Sequence, residues 1–157
     1  MFENCAGVQF AGYDRISTVS PPTRLPNIRI LIVDDSYDAA EPLALVLESY
    51  GAQAHVAHSV DEALAGLHQW SPDIVISDIA MPQRDGYNFI AALRSSESVA
   101  SRVPVIACTA YEGEEHRARA LRAGFHLLLV KPVDIAVLTY AITLLVGTPR
   151  ECEPNPQ

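Results

Sequence analysis

The chain has 157 residues, enough for one domain with a substantial core. Its 11 Lys and Arg against 19 Asp and Glu give a net charge of −8, which argues against non-specific affinity for nucleic acid or an anionic membrane. The 3 cysteines, Cys5, Cys108 and Cys152, have no metal-ligand spacing and an odd count, MFENCAGVQF lacks a signal-peptide pattern, and no apolar run nears the roughly 20 residues of a membrane span, so a soluble cytoplasmic protein is expected.

Residues 1–26 carry Pro21, Pro22 and Pro26 among Ser and Thr, and read as a linker-like extension to a folded unit over 27–147. RILIV, starting at Arg29, predicts a buried strand that runs straight into Asp34 and Asp35. DAAEPLALVLESYG has helical periodicity and closes at Gly51. Proline fits a helix only in its first turn, so this helix is expected to start near Pro42. AQAHVA predicts a poorer second strand. SVDEALAGLHQW opens with Ser59 and has Glu62 where a capping box needs it. DIVISD predicts the third strand, GYNFIAALRSSE a helix, and VPVIAC the fourth strand. EGEEHRARALRAG predicts a helix closed by Gly124, HLLLV the fifth strand, and DIAVLTYAITLLV a last helix capped by Asp134. Residues 148–157 are proline-rich and read as a disordered tail.

The pattern is a strand–helix unit repeated five times. Continuous apolar strands separated by helices imply a parallel sheet covered on both faces, hence a doubly wound α/β fold. Ligands in such sheets bind outside the carboxyl ends of the strands, where the strand order reverses. Those ends carry Asp34 and Asp35, Asp78, Thr109, and Lys131 followed by Pro132; the second strand delivers only Ala57 and His58. Two carboxylates 4 Å apart repel by about 4 kcal/mol at an effective dielectric near 20. Three therefore need a cation or a raised pKa, and one lysine cannot neutralise them. Mg²⁺ can, since it takes a few carboxylates with water and phosphate oxygens. Lys, Thr and Mg²⁺ around one carboxylate also complement a phosphoryl group, and an aspartate can itself form an acyl phosphate. The acid pair thus reads as a Mg²⁺ seat beside a phosphorylatable aspartate.

VDDS (33–36), DIAMPQRDG (78–86), ACTAY (107–111) and VKP (130–132), in that order and at that spacing, resemble the signature of response-regulator receiver domains. The resemblance spans roughly Ile28 to Val146 and is similar in flavour to receiver modules of hybrid histidine kinases. It implies a flavodoxin-like fold with strand order 2-1-3-4-5. It implies that Asp78 is the phosphoacceptor. Asp35, Asp78 and the Ala80 carbonyl would ligate Mg²⁺, with Asp34 acting largely through water. Lys131 would pair with phosphoryl oxygens, Thr109 would turn to hydrogen-bond them, and Lys131-Pro132 would be a cis peptide. Met81-Pro82 and Asp85-Gly86 would shape the loop after the third strand. The implied partner is a histidine kinase or histidine phosphotransfer protein.

The chain departs from the family pattern at Leu128, where many receivers place an aromatic residue that swings inward as the threonine moves. Tyr111, two residues after Thr109, is a candidate to replace it. Ala80 stands two after the phosphoacceptor and Tyr111 two after the threonine, and neither suits positioning a hydrolytic water, so slow loss of the phosphoryl group is expected. Two other readings compete. A haloacid-dehalogenase-like phosphohydrolase would need an aspartate two after its nucleophile and a further acidic pair after the lysine; Ser36 follows Asp35, and Asp134 is the lone acid just past Lys131. A non-phosphorylated pseudo-receiver would have lost one of the acids or the lysine, and none is lost. The five histidines show no shared face, so they read as structural or solvated, as do Cys108 and Trp70 as packing residues and HRARALR as a solvated helix face. On the last helix, Ile135, Leu138, Ile142 and Leu145 form the stripe assigned to the sheet, and Val137, Tyr140 and Leu144 a second stripe expected to be exposed. That second stripe is a candidate homodimer or kinase contact, unless Val8, Phe10, Tyr13 or Ile16 covers it.

Overall fold

A computed structural model of the protein describes residues 24–147. Residues 1–23 and 148–157 lie outside it, and with them Cys5, Cys152 and any cover of the last helix by the N-terminal extension. The elements alternate: β1 (Arg29–Val33), α1 (Tyr37–Ser49), β2 (Gln53–Ala57), α2 (Val60–Trp70), β3 (Ile74–Asp78), α3 (Gly86–Ser95), β4 (Val105–Thr109), α4 (Glu114–Ala123), β5 (Leu127–Val130) and α5 (Ile135–Val146). All strand pairs are parallel, in the order β2-β1-β3-β4-β5, as the sequence predicts.

The two-residue period of the strands splits the core into two layers. Ile30, Ile32, Ile74, Ile76, Ile106, Cys108, Leu127 and Leu129 point to one face and meet Ala40, Ala44 and Leu47 of α1 and Leu138, Ala141 and Ile142 of α5. Leu31, Val33, Val75, Val105, Ala107 and Leu128 point to the other and meet Ala63 and Leu67 of α2, Phe89, Ile90 and Leu93 of α3, and Ala120 of α4. Each fully buried Ile, Leu or Phe contributes about 1.5–3 kcal/mol relative to exposure. β2 is one of the two edge strands, and only its last residue, Ala57, is fully buried, which accounts for its weaker sequence signal.

Several local expectations are corrected. α1 starts at Tyr37, five residues before Pro42, with Ser36 at its N-cap, so the proline lies inside the helix. Its ring removes the N–H that would reach the Asp38 carbonyl. Asp38 and Pro42 are both exposed, so water can take that bond, while the buried stripe of Ala40, Ala44 and Leu47 holds the helix on the sheet. The linker-like reading fails at Leu25, which is wholly buried in the α1/α5 layer and donates its N–H to the Tyr50 carbonyl. Only half of the box at α2 forms. The Ser59 hydroxyl accepts from the Glu62 N–H, but the Glu62 carboxylate takes the His58 N–H instead. A complete box, missed in the sequence, opens α3 through Asp85 and Asn88. The caps at Gly51, Gly124 and Asp134 form as expected.

Arg94 ties the far ends of the strands together. Its guanidinium donates to the carbonyls of Gly124 (2.9 Å), Ser101 (2.6 Å) and Val103 (2.8 Å) and to His126 Nδ1 (3.2 Å). The Val105 N–H donates to the same nitrogen at 3.3 Å. With two donors aimed at it, Nδ1 is an acceptor and the ring is neutral. Burial, and then the Arg94 charge, hold the His126 pKa below its ordinary 6.5. The unfolded chain therefore binds more protons around that pH, so this contribution to stability is present above 6.5 and lost as pH falls through the lower folded value. We expect urea denaturation of His126→Asn, which keeps an acceptor that does not titrate, to lose less stability than the wild type between about pH 7.5 and pH 5. Parallel losses in the two proteins would show that His126 does not supply this dependence.

Candidate functional site

The strand order reverses between β1 and β3, because the chain leaves β1 toward β2 and returns to β3 on the other side. The carboxyl ends of those two strands frame a crevice. Asp34 leaves β1 there, Asp78 ends β3, and Asp35 lies one residue on; one carboxylate oxygen from each falls within 4.8 Å of the others. Asp34 and Asp78 are buried and Asp35 is half-buried. Lys131 reaches in from the end of β5, its Nζ 3.4 Å from Asp78 and 3.6 Å from Asp34. Lys131-Pro132 is cis, and the Lys131 N–H donates to the Thr109 carbonyl at 2.7 Å. Thr109, at the end of β4, is buried, and its Oγ1 accepts the Tyr111 N–H at 3.1 Å.

Three carboxylates and one ammonium sum to −2 (−3 + 1) at the site. Burial raises the Asp78 pKa; Lys131 pulls it down, and Asp34 pushes it up again. Burial alone would depress Lys131, but Asp78 and then Asp34 outweigh it and raise its pKa. Lysine is thus held charged while the acids remain under-compensated. The donor set is all oxygen, anionic and clustered, which fits a hard divalent cation such as Mg²⁺. The Ala80 N–H donates to Asp78 Oδ1 at 3.2 Å, and the Ser36 N–H to Asp34 Oδ1 at 2.9 Å, so backbone also orients both acids.

The loop after β3 folds tightly against the strand end. The Gly86 N–H donates to the Ile79 carbonyl at 2.9 Å, and a Cβ at Gly86 would sit 2.6 Å from the Asp78 carbonyl oxygen and 2.8 Å from Ile79 Cα. Only glycine allows that approach. Beside it lies a groove of about 280 Å³ whose lining includes Ala80, Met81, Tyr87, Thr109, Tyr111 and Leu128. Leu128 in this lining is buried, whereas Tyr111 is 60% exposed and stacks on His116 with centroids 5.4 Å apart. Cys108 is buried under the site, and burial pushes its thiol up to about 12, so it stays a neutral packing group.

The second stripe assigned to α5 is narrower than expected. Val137 is half-buried against the α1/α5 core, Tyr140 is half-buried, and Leu144 alone of the three is exposed, at 41%. The buried face of α5 is Leu138, Thr139, Ala141 and Ile142, with Leu145 at its edge, so the stripe is rotated toward Thr139 and away from Ile135. His58, which the sequence pattern reads as structural or solvated, lies against the site, its Nδ1 3.0 Å from the Asp34 carbonyl.

Residues 30–143 match the family described as response regulator receiver domain, and the chain belongs to it. It is 43% identical over 110 residues to an uncharacterized 14.6 kDa protein of Leptolyngbya boryana, covering 70% of this chain and 83% of that one. It is 34% identical over 119 residues to the protein PilH of Pseudomonas aeruginosa, covering 76% of this chain and 98% of that one. The structure of the chemotaxis protein CheY4 of Vibrio cholerae, 27% identical, superposes with a TM-score of 0.71 over 76% of this chain and 98% of that one. Other curated relatives are much longer, and this chain spans only 8% to 27% of them. Two-component signal transduction is the setting of the family. No helix among the described residues is long and apolar enough to cross a membrane.

Proposed function

We propose that the protein accepts a phosphoryl group on Asp78 in a Mg²⁺-dependent reaction and thereby switches a protein-interaction surface. The observation that carries this reading is the ion-pair geometry: Lys131 bridges Asp78 and Asp34 inside a cluster of three acids at the reversal of strand order. Mg²⁺ held by Asp34, Asp35, Asp78 and the Ala80 carbonyl would supply the positive charge that offsets the acids and incoming phosphoryl oxygens. An Asp78 oxygen bonds to phosphorus while the phosphorus–nitrogen bond of a phosphohistidine breaks. The leaving imidazole keeps the electron pair and is protonated from solvent. The Lys131 ammonium donates to phosphoryl oxygens, and the Thr109 hydroxyl turns to do the same, giving up the Tyr111 N–H it now accepts. The donor would be a histidine kinase or a histidine phosphotransfer protein.

We expect phosphate incorporation from a small phosphodonor to require Mg²⁺ and to vanish in Asp78→Asn. Lys131→Ala should break the link between phosphorylation and any surface change. Full labelling of Asp78→Asn would remove the reading. Decay should be slow, because the Ala80 side chain cannot hydrogen-bond a water and Tyr111 lines the adjoining groove. Replacing them together by Asn and Glu should speed loss of the phosphoryl group; an unchanged decay would mean that these positions do not govern the water. A homodimer contact on α5 would centre on Leu144, with Tyr140 and Ala136 following at helical spacing. Leu144→Glu should lower the mass measured by sedimentation if the phosphorylated protein dimerises here, and an unaltered dimer would place the contact elsewhere.

A further inference from the structure

The carboxyl end of β2 supplies no acid, but it supplies His58. The Nδ1 of this ring lies 3.0 Å from the Asp34 carbonyl oxygen, and a carbonyl only accepts, so Nδ1 carries the proton and donates it. The ring lies flat on Tyr37 of α1, centroids 3.6 Å apart and planes 22° apart, and its side chain is only 15% exposed. Nε2 is 3.4 Å from the Glu41 carboxylate, also on α1. The His58 backbone N–H donates to the Glu62 carboxylate of α2 at 2.8 Å, which explains why Glu62 leaves the capping box half-made. The ring is thus fixed by α1, and the backbone that carries it by α2.

What it holds is the turn carrying the acid pair. The Asp34 N–H donates to the Ala57 carbonyl at 3.1 Å, its Oδ1 accepts from Ser36, and its carbonyl accepts from His58. The Asp34 carbonyl and the Asp35 N–H belong to one planar peptide unit, so the ring that fixes the first fixes the plane from which Asp35 springs. Asp78 is held within β3 and Asp34 is bonded to the end of β2, whereas Asp35 lies beyond any strand. Its aim therefore depends on that peptide plane.

We propose that His58 is a positioning residue for the cation site, setting the direction of Asp35 through the Asp34 carbonyl. This rests on the reading of Asp34, Asp35 and Asp78 as a cation seat. The test separates the donor from the ring. His58→Asn keeps a side-chain N–H close to the place of Nδ1 without the ring, and His58→Phe keeps a ring for Tyr37 without the donor. Mg²⁺ affinity is measured on the full chain by amide NMR titration, and amide exchange at Asp35 and Ser36 is measured without metal; circular dichroism checks the fold. Affinity should fall about 10-fold in His58→Phe, the scale of losing an outer-shell hydrogen bond, and remain near wild type in His58→Asn. Exchange at Asp35 and Ser36 should quicken in His58→Phe. The proposal is overturned if His58→Phe matches wild type in affinity and exchange, or if His58→Asn is as weak as His58→Phe. A wild-type protein that takes up no Mg²⁺ overturns the cation reading and the proposal with it; faster exchange in His58→Phe would then leave His58 a purely structural clamp.

Discussion

Negative charge held at buried strand ends is the constraint on which the rest depends. Asp34 and Asp78 sit beneath the surface with Asp35 beside them, and burial works against every charge there. Lys131 offsets one charge of the three. Such a cluster would push itself apart on a soft scaffold. It persists because the acids are fixed to the stiffest part of the molecule, two adjacent central strands whose residues are buried on both faces. The core therefore holds the charges close enough for their imbalance to favour a cation.

The same constraint explains local features that otherwise look unrelated. Glycine at position 86 lets the loop after β3 close to within 2.9 Å of the strand end, which brings Ala80 over Asp78. Backbone N–H groups of Ser36 and Ala80 point at carboxylates rather than at helix carbonyls. Lys131 donates its N–H to the Thr109 carbonyl, tying the cation of β5 to the hydroxyl-bearing end of β4. Each arrangement lowers the cost of keeping acids together, and each sits at a strand end rather than in the core.

The fold was legible because strand and helix periods differ so plainly here. Ile30 and Ile32, Ile74 and Ile76, and Leu127 and Leu129 alternate into one layer, and Ala40, Ala44 and Leu47 of α1 and Leu138 and Ile142 of α5 answer at helical spacing. The acids, threonine and lysine were legible because each lies at or just past the end of a largely apolar run. What failed was decided by tertiary contact. Pro42 argued for a late helix start, yet exposure made its missing bond harmless. Leu25 looked like linker, and burial against the α1/α5 layer made it core. The face of α5 depended on a few tens of degrees of rotation, too little to read from a helix that is apolar almost all round. His58 carried no pattern of its own, since its role comes from meeting a carbonyl 24 residues away in the chain.

Thr109 shows how such a site can speak to the surface. Its Oγ1 now accepts the N–H of Tyr111, an exposed ring stacked on His116 at the start of α4. On the proposed reading, the hydroxyl turns toward a phosphoryl group on Asp78 and loosens its hold on the Tyr111 amide. Tyr111 and Leu128 both line the groove of about 280 Å³ beside the site. Leu128 itself is too short to carry a large inward and outward swing. On the proposed reading, the output of phosphorylation therefore runs through the backbone at Tyr111 into α4, and the side chain on β5 lines the groove beside which that backbone repacks.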